Sequence, residues 1–137
     1  MMKSILPLIT MLVWGHSLIA QEAGSVDEEL EECLEIAGTT SEMIDCQIQA
    51  AEAWDKELNK YYKLYLSKLN EEGKAVLKEA QREWIVYRDK EYRLIDSHYL
   101  SQLQGTMWHP VAAGEKMEIV KARALKLKGY YEDLETD

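Results

Sequence analysis

Three carboxylates stand where acid and base chemistry would be sought: Asp55 and Glu57 in the stretch WDKELNKYY, and Asp89 in the stretch AQREWIVYRDKEY. Both stretches repeat apolar residues at helical spacing, yet each sets polar groups into or beside its apolar stripe, Asp55 and Asn59 in the first, Gln81 and Arg88 in the second. A catalytic carboxylate requires a cleft and a tuned pKa, whereas one on a helix face is ordinarily capped or salt-bridged. An unpaired polar group in a helix interface costs about 1 to 3 kcal/mol. The polar residues therefore read as partners for one another, and no catalytic role is assigned to any of them.

Other chemistries lack their parts. His98 and His109 stand in no HExxH or comparable ligand spacing, so no metal site is predicted. There is no glycine-rich phosphate loop and no partnered serine or cysteine nucleophile, and no cofactor is expected. Lys116, Lys121, Arg123, Lys126 and Lys128 crowd the last helical segment, but acids flank them, which marks a solvated face rather than a nucleic-acid stripe.

The elements that must position these residues are helical throughout, since nothing alternates at period two. Ser25 followed by Glu28 reads as a capping box for a short helix through Leu30, Cys33, Leu34 and Ala37, ended by Gly38. Thr39 with Glu42 repeats the signal for a second helix from about Ser41 to Asn70, with Ile44, Ile48, Trp54, Leu58, Tyr61 and Tyr65 among its apolar residues. After a polar break at Asn70 to Gly73, Leu77, Ala80, Trp84, Tyr87 and Leu94 resume the spacing toward Gln104. So short a connection joins antiparallel neighbours. Pro110 argues against continuous helix over Gly105 to Gly114, and a last helix carries Met117, Val120, Ala124, Leu127 and Tyr131. The predicted fold is all-α: a small bundle built on a long antiparallel helix hairpin, with a short disulfide-linked N-terminal helix and a C-terminal helix.

With the break centred between Glu71 and Glu72, facing residues of the hairpin have numbers summing to about 143. Asp55 then falls opposite Arg88 and Tyr62 opposite Gln81. The expectation is an ion pair from Asp55 to Arg88, completed by Asn59, Tyr62 and Gln81 as a hydrogen-bonded ladder that sets register more than it adds stability.

Residues 1–20 join one Lys to an uncharged apolar run from Ile5 to Ala20, too short to span a bilayer, and read as an export signal cut after Ala20. Residues 21–137 then form a single domain, periplasmic or secreted, with no membrane span. In an oxidising compartment the isolated pair Cys33 and Cys46 most often forms a disulfide; the spacing is not CxxC and no His lies near for zinc. Cutting the signal removes one of 16 basic residues and none of 25 acidic ones, leaving a net charge of −10. Such a surface repels nucleic acid and attracts a cationic partner, although acidity also serves solubility alone.

Two surfaces are candidates for a protein partner. The segment Thr106 to Ala113 would expose Met107, Trp108 and His109, and Trp is enriched among binding hot spots; the alternative is that it caps the bundle as core. The cluster Asp27, Glu28, Glu29, Glu31, Glu32 and Glu35 is the second, with an ordinary acidic helix start as its alternative.

Cys33, then Thr39 and Thr40, EMIDC ending at Cys46, DKELNKYY, AQREWIVYRD, Gly105 with Thr106, and Arg123 with Leu127 together resemble the LprI-type lysozyme inhibitor family, from Cys33 to Leu127. That resemblance implies a non-enzymatic protein that occludes a basic, lysozyme-like glycan hydrolase in a stoichiometric complex. A different class is an envelope structural or interaction module, or an immunity protein against a cell-wall-degrading toxin. The family commonly carries a second cysteine pair, in whose neighbourhood this chain has Tyr92 and Met117. An aromatic ring and a thioether can replace such a bridge by packing.

Overall fold

The computed structural model describes residues 24–136, so the expected export signal lies outside the described residues. Helix α1 covers Gly24–Ile36, α2 Thr40–Lys68, α3 Glu71–Asp96 and α4 Trp108–Glu135. A π-helical segment, Ser97–Gln102, extends α3.

The helix boundaries follow local chemistry. Thr39 caps α2 in a reciprocal box: its hydroxyl accepts from the Glu42 amide at 3.2 Å, and the Glu42 carboxylate accepts from the amides of Gly38 and Thr39 at 2.8 and 2.9 Å. Asn70 caps α3 by accepting from the Gly73 amide at 2.8 Å, so Glu71 and Glu72 belong to the first turn of α3 rather than to the break. Ser25 lies inside α1 rather than at its cap. The other correction is Pro110. It occupies the first turn of α4, where a helix has no use for the missing amide hydrogen, and the helix starts at Trp108 instead of after Gly114.

The Cys33 to Cys46 disulfide ties α1 to α2 with the Cα atoms 5.8 Å apart. Among the described residues there is no strand, and no helix is long and apolar enough to cross a membrane.

The hairpin of α2 and α3 is present, but the closest helix pair is α2 with α4. These two run parallel in one register. Gln47 meets Gly114, Trp54 meets Lys121, Tyr61 meets Lys128, and Lys68 meets Glu135; each pair is 67 positions apart and successive pairs step by 7. A seven-residue repeat is the signature of helices wrapped along a shared seam. Its core is Ala50, Trp54 and Leu58 from α2 with Met117, Val120, Ala124 and Leu127 from α4; Trp54 and Leu127 have almost no exposed surface. The two tyrosine pairs, Tyr61 with Tyr131 and Tyr65 with Tyr130, continue the seam at centroid distances of 6.3 and 5.6 Å.

Helix α3 runs antiparallel to both and meets them through large side chains, Leu77, Trp84 and Tyr92, rather than by close backbone approach. Tyr87 and Leu94, expected on its apolar face, are exposed, because the face that turns inward is centred on Leu77, Trp84 and Ile95. Tyr92 and Met117 pack in the same core, and the Tyr92 hydroxyl donates to the Lys116 carbonyl at 3.3 Å. Packing and a hydrogen bond thus join α3 to α4 at this level.

Candidate functional site

Because α3 stands off from the α2 and α4 seam, an open groove of about 680 Å³ remains between the three helices. Ile44, Ile48 and Ala51 line it from α2, the buried Ala112 and Val120 from α4, and Leu100 from the π-helical segment. The volume lies within the range of ligand pockets built between the helices of a bundle. Two apolar side chains at its mouth remain open to solvent, Ile48 at 47% and Leu100 at 42% exposure.

The charged residues along the groove fall into two groups. Two cations are already matched: Lys116 bonds Asp96 at 2.6 Å, and Arg88 grips the neighbouring Asp89 from its Nε and Nη2 at 3.0 and 2.8 Å. The α2 wall also carries Glu52, Asp55 and Lys56, none of which lies in an ion pair among the described residues. The Asp55 carboxylate accepts from the Asn59 side-chain amide at 3.1 Å.

The five residues expected to form an interhelical ladder are distributed differently. Asp55 and Arg88 line the same groove, as the register requires, but the expected ion pair between them is not formed. The Arg88 guanidinium instead holds Asp89, the next residue on the same helix. Asn59, Tyr62 and Gln81 share another cleft, of about 500 Å³, again consistent with the hairpin register. Gln81, however, turns to α4 and accepts from Arg123 Nε at 3.0 Å. Burial lowers the Arg123 guanidinium from its ordinary pKa, and burial raises that of the Tyr92 phenol, which favours its protonated, donating form.

The candidate partner surfaces also resolve. Trp108 opens α4 and is partly buried against Tyr99, with ring centroids 5.9 Å apart, while His109 is exposed and lines the groove. Met107 is 67% exposed beside them. Glu28, Glu31 and Glu32 are exposed on α1, and Asp27 of the same cluster pairs with Lys121 at 2.8 Å. The basic residues of α4 are largely answered by acids: Lys116 by Asp96, Lys121 by Asp27 and Lys128 by Glu132. Among the described residues no group of three His, Cys, Asp or Glu side chains is placed to hold a metal ion.

Sequence reasoning missed the groove because Ile44 and Ile48 look like core and Leu100 looks like the tail of a helix. The available signal was the surplus of apolar residues on α2, more than one partner helix can cover.

A disulfide-linked, all-helical domain with an open apolar groove edged by charge is the class that fold and site define. The chain belongs to the lysozyme inhibitor LprI family, whose family model matches residues 31–127. The crystal structure of an uncharacterized protein from Burkholderia thailandensis is similar, with a TM-score of 0.75 and 26% sequence identity over 82% of this chain and 56% of that one. The chain thus spans little more than half the length of that protein. No curated protein matches it.

Proposed function

We propose that this protein is an exported, acidic inhibitor that occludes a cationic, lysozyme-like glycan hydrolase in a one-to-one complex. The observation that carries the reading is the family match over residues 31–127. The disulfide is consistent with a periplasmic or secreted location, where such bonds persist. Lysozyme-type glycosidases cleave with carboxylates flanking the scissile bond, and a cationic example would be steered by the net charge of −10 on residues 21–137. Glu28, Glu31 and Glu32 supply part of that field, and the exposed Met107 and His109 at the start of α4 border the contact region, with Trp108 supporting them.

The test is a titration of the oxidised mature domain against a c-type lysozyme with turnover of cell-wall substrate as readout. One-to-one inhibition that weakens as salt is raised is expected. Full lysozyme activity at micromolar excess and low salt would overturn the reading for that target.

A further inference from the structure

We infer that the groove between α2, α3 and α4 is the receiving surface of the complex, taking a protruding segment of the cationic partner that carries an apolar side chain next to Lys or Arg. This rests on the occlusion reading above and deepens it: the inhibitor is the concave member, and does not insert a finger of its own.

The shape of the α4 entrance carries the first step. A plugging loop would have to protrude, but the connection from the π-helical segment to α4 is short, and Trp108 is already helical and packed against Tyr99. What the molecule offers at this end is a cavity. Its lining is largely apolar, and its two most open apolar side chains, Ile48 and Leu100, come from different elements, α2 and the π-helical segment. The π-helical turn contributes by carrying Leu100 to the groove, with the Leu103 amide reaching back to the His98 carbonyl at 3.2 Å. Such widened turns recur at functional sites.

Charge selects the occupant. Lys116 and Arg88 are neutralised by Asp96 and Asp89, so the cations over the groove hold little attraction for an incoming anion. Along the α2 side of the groove, among the described residues, two carboxylates in no ion pair, Glu52 and Asp55, outnumber one lysine in none, Lys56. An apolar side chain would therefore be followed best by a positive one. A second copy of this chain fits poorly, since two bodies of the same large negative charge repel.

The deciding experiment is calorimetric titration of the oxidised mature domain with a cationic c-type lysozyme at low salt, comparing Ile48→Asp, Leu100→Asp and Asp55→Lys with Leu125→Asp. Leu125 is equally exposed on α4 but lies outside the groove, and circular dichroism verifies that each variant folds. The groove substitutions are expected to lower affinity by about tenfold or more, as at interface anchors, while Leu125→Asp leaves it unchanged. Undiminished binding by both Ile48→Asp and Leu100→Asp, with the parent binding well, overturns the groove and leaves the inhibitor reading standing. Failure of the parent to bind overturns both. A parent dimer in sedimentation that Ile48→Asp dissociates would assign the groove to a second copy and also overturn the inference.

Discussion

Arg123 of α4 donates through Nε to the side-chain oxygen of Gln81 on α3 at 3.0 Å, with its guanidinium 5.8 Å from the centre of the Trp84 ring. This contact joins two helices that have little close backbone approach, so the side chains themselves hold α3 over the seam. Replacing Arg123 with Ala should cost about 1.5 to 3 kcal/mol, the range for a hydrogen bond to a charged group. Gln81→Ala should cost less, and urea unfolding of both singles and the double should reveal coupling of about 0.5 kcal/mol or more. Strict additivity would mean the contact does not hold α3 in place.

The disulfide closes a short loop, with 13 positions separating its cysteines. In the chain-entropy account such a link stabilises by about 3 kcal/mol. Thermal unfolding of the Cys33→Ser, Cys46→Ser double variant should show that loss while the α2 and α4 seam keeps its helical signal. An unchanged midpoint would place the stability of α1 entirely in its packing through Val26.

Two glycines make opposite predictions. Gly129 lies within α4 with open space around it, so Gly129→Ala should stabilise by about 0.5 to 1 kcal/mol through helix propensity. Gly105 has φ of +105°, which an L side chain rarely adopts. Gly105→Ala should destabilise by about 1 to 3 kcal/mol, since the turn into α4 must then be strained or rebuilt. Denaturant midpoints for the two variants should move in opposite directions.

Glu42 makes the stability pH-dependent. Hydrogen bonds from the Gly38 backbone, then from the Thr39 side chain and backbone, hold its pKa below the ordinary carboxylate value. For a group lowered on folding, the contribution is present above the unfolded pKa and disappears as pH falls through the folded one. Acid titration of stability should therefore be shallower for Glu42→Gln, which keeps the geometry of the box without the titrating charge. Superimposable acid limbs would contradict the role of this carboxylate.

The residues of the candidate site were legible to different depths. The hairpin register placed Asp55 with Arg88 and Tyr62 with Gln81 around shared clefts, because a short connection and fixed helical rise determine which residues face. It did not reveal their bonding partners. Arg88 takes Asp89, and Gln81 takes Arg123, since hydrogen bonds depend on ångström separations that a register cannot supply.

By itself the sequence determined the helical class, the cap at Thr39, the cysteine pair and the family motif, all of which depend on neighbours within a turn or two or on the redox compartment. Only the tertiary structure decided that α4, not α3, lies closest to α2, in parallel and in a seven-residue register. Periodicity tells which face of a helix is apolar but not which other apolar face will cover it. That choice is made by shape, by Gly114 admitting Gln47 and Ala124 leaving room in the core, and the groove is the space left where α3 could not close in as well.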